Sequence, residues 1–214
     1  MLGPVSPSAR QCLWAVGALT LISACSSGSS SSSPSTTTTT RPAARAIHAT
    51  AAKVDVASSG KLVALADADR DAVLTSIDRY VAAATLAPLE GKAGANLAAD
   101  FTASAAPALT GPEQDALTDA AVPKATGAVT ATLAPLNLTA LSDQSGAIDL
   151  VGTTFDLTVN ATARGGPVTI HRTGEFMLTR DGGAWKILGF TLAVTRDGAG
   201  LGTAPTATTG SSTP

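Results

Sequence analysis

The sequence is poor in aromatic residues, in charged residues and in cysteine. Of its 214 residues only 3% are aromatic and 14% are charged, whereas 44% are hydrophobic, and the formal net charge is −2. A protein that binds nucleic acid through its phosphates needs clustered Lys and Arg, and the sequence has no such cluster. It also lacks a run of about 18 apolar residues, which an ordinary transmembrane helix requires. Nucleic-acid binding and a conventional membrane span are therefore excluded.

The first residues have the organisation of an export signal. Arg10 supplies a positive charge, and the apolar stretch from Leu13 to Ile22 has the short length that is typical of a signal peptide. Residues 21–25 read Leu-Ile-Ser-Ala-Cys, which resembles the bacterial lipobox. This resemblance implies that residues 1–24 are removed and that Cys25 receives a diacylglycerol anchor.

The lipobox interpretation decides the chemistry of the remaining cysteine. Cys12 lies inside the signal, so Cys25 has no partner for a disulfide after cleavage. A lipidated thiol cannot serve as a nucleophile or as a metal ligand. The sequence therefore predicts a domain without disulfides or Cys-based metal sites, held at the outer face of the cell membrane by lipid.

Composition divides the rest of the chain into three parts. Residues 25–45 consist of the lipidated Cys followed mainly by Ser, Thr and Pro, which predicts a disordered tether. Residues 46–198 are predicted to form the folded domain. Residues 199–214, again rich in Gly, Thr, Ser and Pro, are predicted to be a disordered tail.

Helices are expected first and strands afterwards. Val73, Ile77, Tyr80 and Val81 recur at helical spacing behind an acidic first turn, and this helix is predicted to end before Pro88. Shorter helices are predicted over residues 96–105 and from Thr110 to about residue 121. Four strand-like runs follow, which the turn clusters at residues 142–146, 164–167 and 181–183 separate; they cover residues 128–141, 147–163, 168–180 and 185–196.

The predicted fold class is α+β, with N-terminal helices packed on a curved antiparallel sheet of four strands. Residues 174–187, Gly-Glu-Phe-Met-Leu-Thr-Arg-Asp-Gly-Gly-Ala-Trp-Lys-Ile, resemble the last hairpin of nuclear-transport-factor-2-like, or cystatin-like, cone domains. The chain is also similar to exported actinobacterial lipoproteins and to mammalian-cell-entry-associated proteins. The resemblance implies the cone fold over about residues 62–197, but this fold hosts enzymes, carriers and scaffolds alike.

Three residues are candidates for binding a ligand inside such a cone. Arg172 lies in the apolar row of its strand, where it could meet a ligand carboxylate or phosphate; the alternatives are a bulge that turns it outward or a pair with Asp149 or Asp156. Tyr80 lies on the inward stripe of the first helix. Trp185 is a third candidate, but if it fills the interior together with Tyr80 and the four phenylalanines, no ligand fits there.

Other chemistries are weakly supported by the sequence. Asp67, Asp69 and Asp71 have the spacing of a calcium loop, but Ala72 stands where that loop needs Gly. His48 and His171 are too far apart to predict a zinc site. We therefore expect no metal, no cofactor and no catalytic residue, although Tyr80 with Asp100 or Asp156 as base would suit an isomerase or dehydratase.

Three functions remain open at this point. The first is a non-catalytic module that binds a small apolar ligand or lipid. The second is an accessory domain that contacts an envelope protein or a second copy through its Thr-rich sheet face. The third is the isomerase-like or dehydratase-like enzyme. All three share the lipid anchor at the outer face of the membrane.

Overall fold

The computed structural model describes residues 47–58, 63–92, 96–202 and 206–212. The predicted signal peptide, the predicted lipidation site Cys25 and the predicted tether up to residue 45 lie outside these residues. Within the described part of the chain, none of the helices combines the length and the apolar character that a membrane crossing requires. The described residues form an α+β structure whose largest element is one mixed, mostly antiparallel sheet.

The sheet has seven strands, so the prediction of four strands is wrong. Its strands run β1 Ala51–Ser58, β2 Thr130–Leu133, β3 Leu136–Ser142, β4 Ile148–Ala163, β5 Gly166–Asp181, β6 Ala184–Asp197 and β7 Thr206–Ser212. The spatial order is β1-β3-β4-β5-β6-β7, with β2 also paired to β4. Every pair is antiparallel except β1 with β3, which is parallel. The predicted α+β class and the antiparallel meander of β3 to β6 are confirmed.

The predicted first strand, residues 128–141, is divided into β2 and β3. Both pieces pair with β4, β2 along residues 157–160 and β3 along its first half. Pro135 lies between them and has no N–H to donate to a ladder. The proline therefore interrupts one predicted strand and makes two shorter ones.

The two outer strands were not predicted because their sequences lack an apolar row. Most β1 side chains are exposed, and β7 reads Thr-Ala-Thr-Thr-Gly-Ser-Ser. Each nevertheless pairs along seven positions with an edge of the meander, whose unpaired backbone groups accept another strand. The prediction that residues 199–214 are a disordered tail is wrong for β7, because residues 206–212 are held by β6.

The first helix, α1 (Asp67–Val81), buries the predicted stripe of Val73, Ile77, Tyr80 and Val81. The prediction that this helix ends before Pro88 is wrong. A π-helical turn, Ala82–Leu86, continues it into a short α2, Ala87–Leu89. The wider turn accommodates the proline ring, which would collide with the preceding turn of a regular α-helix.

The two shorter predicted helices are reduced to single turns. Residues 96–105 contain the 3₁₀ turn Leu97–Asp100, followed by Phe101, which forms an isolated bridge with Ile187. Residues 110–121 contain only α3, Gln114–Leu117. Both segments lie against the main sheet or α1 through specific contacts, so the tertiary structure rather than helix propensity decides their conformation.

An aromatic cluster fills the space between α1 and the sheet. The ring of Tyr80 packs edge-to-face on Phe101, Phe155 and Phe176, with ring centroids 4.9–6.2 Å apart. Trp185 and Phe190 are also buried, each 3% exposed. The interior between α1 and the sheet is thus occupied by the protein's own side chains.

Candidate functional site

Arg172 points to the inner face of the sheet, as its position in the apolar row of β5 predicts, and it is fully buried. Its Nη2 donates to Asp119 Oδ2 at 3.0 Å, and its Nη1 donates to the hydroxyl of Thr85 at 2.7 Å. The Thr85 hydroxyl in turn donates to the same Asp119 oxygen at 2.8 Å. The carboxylate that Arg172 meets therefore belongs to the protein, and it is neither Asp149 nor Asp156.

A second arginine, Arg196, binds the other oxygen of Asp119. Its Nε lies 2.9 Å and its Nη2 2.8 Å from Asp119 Oδ1. Arg196 Nη2 also donates to the carbonyls of Asp115, within α3, and Thr118, which follows α3 directly. We call Arg172, Asp119, Arg196 and Thr85 the buried charge cluster; in it two guanidinium groups share one carboxylate.

The backbone of Asp119 is held by a hydrogen bond to a carbonyl that Pro88 leaves without a helical donor. Because Pro88 has no N–H, the Ala84 carbonyl lacks the donor that this position would supply in an α-helix. The N–H of Asp119 donates to that carbonyl at 2.9 Å. The proline in the helical segment therefore creates the acceptor that positions the central carboxylate.

Tyr80 lies next to the buried charge cluster, and its hydroxyl donates to the Leu117 carbonyl at 2.9 Å. Burial raises the pKa of Tyr80 to about 12, with a further contribution from Asp119 that the two arginines oppose. The pKa of Arg172 is also raised: burial lowers it, whereas Tyr80 and Asp119 raise it. Tyr80 is thus a neutral donor committed to a backbone carbonyl.

Trp185 joins the last hairpin to the start of α1. Its indole Nε1 lies 3.3 Å from Asp69 Oδ1, and the same carboxylate binds the guanidinium of Arg180. The Arg180 guanidinium carbon lies 5.2 Å from the centre of the Trp185 ring, a cation–π contact. Asp69 is therefore engaged in fastening a helix to the sheet.

The remaining candidates lie apart from these residues. His171 Nε2 lies 3.1 Å from Asp156 Oδ1 on the exposed face of the sheet. Asp100 binds Arg79 Nε at 2.8 Å. Among the described residues no group of His, Cys, Asp and Glu has the arrangement of a metal site. Tyr80 and its two predicted partner bases are therefore bound to three different groups, Leu117, Arg79 and His171.

A cleft lies on the helical side of the molecule, away from the candidates that the sequence predicted. Its volume is about 560 Å³, within the range of small-molecule sites. Most of its wall is apolar, from Ala83, Pro88, Leu97, Ala98, Leu109 and Ala120. Its polar side chains are Lys92, Gln114, Thr118 and Lys124. Arg172, Tyr80 and Trp185 do not line it.

The C-terminal end of α2 shapes one part of this cleft. Gly91 has φ +67°, its N–H donates to the Pro88 carbonyl at 2.9 Å, and the Lys92 N–H donates to the Ala87 carbonyl at 2.9 Å. This is a Schellman motif, which requires a left-handed residue at the Gly91 position. A Cβ on Gly91 would lie 2.7 Å from Lys124 Cδ. The missing side chain therefore leaves the space through which Lys124 extends.

Sequence reasoning found the inward position of Arg172 but missed its partners. Asp119 and Thr85 belong to no motif, and their sequence separations from Arg172 are large. Lys92 and Lys124 carried no recognisable pattern either. The one available signal was the pair Pro88 and Gly91, which marks the end of a helix.

Comparison of the chain with protein-family models, curated proteins and solved structures finds no match.

Proposed function

We propose that this protein is a lipid-anchored extracytoplasmic module without catalytic activity, which binds a small apolar ligand or a lipid in the helical-side cleft. The observation that carries the proposal is the cleft itself, about 560 Å³ in volume with mostly apolar walls. We also propose that the domain is related to nuclear-transport-factor-2-like cone domains and that the chain is related to exported actinobacterial lipoproteins. A ligand site on the helical side replaces the interior site, which the aromatic cluster fills.

The enzymatic alternative has less support. An isomerase-like mechanism needs Tyr80 to donate to a developing oxyanion and a carboxylate to act as base. The Tyr80 hydroxyl is buried and donates to Leu117, while the two candidate bases, Asp100 and Asp156, are paired with Arg79 and His171. None of these three groups lines the cleft in which we propose that the ligand binds.

The accessory-domain alternative has one specific observation in its favour. The outer face of β4, β5 and β6 carries several threonines, among them Thr154, Thr173, Thr191 and Thr195, with Asp156, His171 and Glu175 between them. Such a face suits packing against a partner in the envelope or against a second copy. Sedimentation analysis of the wild-type chain and of Thr173→Arg tests it: a dimer that the substitution dissociates supports this function.

Cleft binding is tested by replacing two exposed alanines with tryptophan, one in the cleft and one away from it. In the full chain carrying Cys25→Ala, which removes the thiol of the proposed anchor, Ala98→Trp places an indole in the cleft from an exposed position. The matched control is Ala193→Trp, at an exposed position on β6. We expect solvent extracts of the purified chain and of the control to contain the same lipid, measured by mass spectrometry, and those of Ala98→Trp to lack it. Equal lipid in all three would contradict the cleft as the site.

The anchor is tested by the two cysteines. Cells expressing the wild-type chain, Cys25→Ala or Cys12→Ala are fed an alkyne-labelled fatty acid and fractionated. We expect the label and the membrane association to be lost in Cys25→Ala and kept in Cys12→Ala, because only the thiol at the lipobox position is acylated. Labelled Cys25→Ala would refute the lipoprotein assignment without affecting the cleft.

A further inference from the structure

The charges around the cleft point to a particular class of ligand, and this inference rests on the proposed function. Lys92 and Lys124 both adjoin Gly91, Lys92 as its neighbour in sequence and Lys124 through its side chain. The two cations of the cleft are therefore gathered at one end of an otherwise apolar surface. A site of this kind suits an amphiphile, with its charged group at the lysines and its chain on the apolar wall.

The two lysines are not equivalent. Lys92 Nζ lies 2.5 Å from Glu90 Oε2, and the Glu90 side chain is only 10% exposed. Lys124 has no ion pair or hydrogen bond from its side chain among the residues that the structure describes. One cation is thus neutralised within the protein, and one remains to bind a ligand.

The side chain of Lys124, an exposed residue, lies in the space beside Gly91. The Cδ, Cε and Nζ atoms of Lys124 all lie within 3.3 Å of the point that a Gly91 Cβ would occupy. The aliphatic stem therefore lies across the end of α2. Ordering the stem in this way reduces the entropy that a lysine loses when it forms an ion pair.

We propose that the cleft binds a single-chain amphiphile with one negative charge, a fatty acid, through its carboxylate on Lys124 and its chain on the wall that includes Leu97 and Leu109. One unpaired cation matches a monoanion better than a phosphate monoester, which carries close to two charges at neutral pH. The volume of about 560 Å³ suits one ligand of small-molecule size.

The experiment compares three probes with the same chain length: dodecanoate, dodecanol and dodecyl phosphate, each below its micelle concentration. Binding to the full chain carrying Cys25→Ala is measured by calorimetry at low ionic strength. We expect dodecanoate to bind about fivefold more tightly than dodecanol, the upper range for an exposed ion pair. Dodecyl phosphate should bind no more tightly than dodecanoate.

Two lysine variants assign the charge. Lys124→Ala should remove the preference for dodecanoate over dodecanol and leave dodecanol binding unchanged. Lys53→Ala, at an exposed lysine of β1 paired with Asp55, makes the same change in net charge and should preserve the preference. A preference that survives Lys124→Ala would overturn the assignment of this residue, and tighter binding of dodecyl phosphate would overturn the monoanion.

The probes also separate this inference from the proposed function. Equal binding of dodecanoate and dodecanol by the wild-type cleft would refute the anionic ligand and keep an apolar binding site. No binding of any probe, with the lipid extracts also empty, would refute both.

Discussion

Asp119 is the residue on which the buried charge cluster depends. It is completely buried, and each of its oxygens binds a different arginine. Arg172 is also completely buried, and its Nε has no hydrogen-bond partner among the residues that the structure describes. The cluster therefore contains more positive than negative charge, and the carbonyls of Asp115 and Thr118 compensate part of the excess.

Replacing Asp119 tests this dependence. Asp119→Asn leaves two buried guanidinium groups without a carboxylate, so we expect the free energy of unfolding to fall by about 3–5 kcal/mol. Asp156→Asn is the control, because Asp156 pairs with His171 on the exposed face, and it should cost less than about 1 kcal/mol. Urea denaturation of the three chains measures both values. Equal losses would contradict a special role for the cluster.

Tyr80 is the single tyrosine of the chain, so its ionisation can be observed directly. Its pKa is about 12 in the folded state against 10.0 in the absence of the fold. Between these values the unfolded chain has lost the phenolic proton and the folded chain keeps it. The stability that Tyr80 contributes is thus complete below pH 10 and falls above it, by about 1.4 kcal/mol per pH unit.

The Tyr80→Phe variant isolates this effect. At neutral pH it should be about 1 kcal/mol less stable, because the Leu117 carbonyl loses its donor. The difference between the two chains should shrink as the pH rises above 10, since the variant has no phenol to ionise. Absorbance of tyrosinate follows the titration and circular dichroism follows the fold. Ionisation near pH 10 in a chain that is still folded would contradict the burial of the hydroxyl.

Among the elements, β5 requires a glycine at position 174. Gly174 has φ +151°, and a Cβ there would lie 1.9 Å from the Thr191 carbonyl oxygen of β6. The residue thus allows two strands of the meander to approach more closely than a side chain permits. It lies in the same inward-facing row as Arg172 and Phe176.

A pair of glycine substitutions separates this close approach from a general effect on strands. Gly174→Ala should lower the free energy of unfolding by at least about 3 kcal/mol, because both the backbone and the contact are strained. Gly152→Ala, in β4, meets only the Thr139 carbonyl at 3.8 Å, and should be neutral or slightly stabilising. Thermal unfolding of both variants gives the comparison. A loss of stability in Gly174→Ala as small as that in Gly152→Ala would contradict this prediction and would mean that β5 and β6 can separate locally at low cost.

The helical segment shows how one residue acts through an element. Pro88 produces a π-helical turn instead of a helix end, and the Ala84 carbonyl that it releases binds Asp119. Three residues after Pro88, just beyond the end of α2, Gly91 forms the Schellman motif and leaves room for Lys124. The end of this helix thus contributes both to the buried charge cluster and to the cleft.

In the whole molecule, β7 completes one edge of the sheet. It pairs with β6 from Thr206 to Ser212, and Gly210 packs against α3, where a Cβ would lie 2.7 Å from Ala116 Cβ. Thr206, the first residue of β7, lies opposite Arg196 of the buried charge cluster. Its attachment rests mainly on backbone hydrogen bonds, because its side chains are small.

Truncation tests the contribution of β7. A chain that ends at Gly202 exposes the edge of β6, so we expect lower stability, by about 2 kcal/mol or more, and concentration-dependent self-association. A chain that ends at Ser212 keeps β7 and should behave as the wild type. Urea denaturation and light scattering measure the two effects. Identical behaviour of both truncated chains would show that β7 is dispensable.

Local patterns in the sequence determined the elements with strong periodicity. The stripe of Val73, Ile77 and Tyr80 predicted the inner face of α1, and the turn at residues 181–183 predicted the β5–β6 hairpin. The α+β class followed from the order of these elements. Alternation along β5 also placed Arg172 inward, because successive side chains of a strand point to opposite faces.

Only the tertiary structure decided which distant residues meet. β1 and β7 are strands because the meander has free edges with which they pair. Their own sequences contain no pattern that predicts a strand. Asp119 meets Arg172 across 53 positions and Arg196 across 77, and Lys124 meets Gly91 across the end of a helix. These contacts depend on packing between elements, so no local pattern of residues can specify them, and both the buried charge cluster and the cleft arise from them.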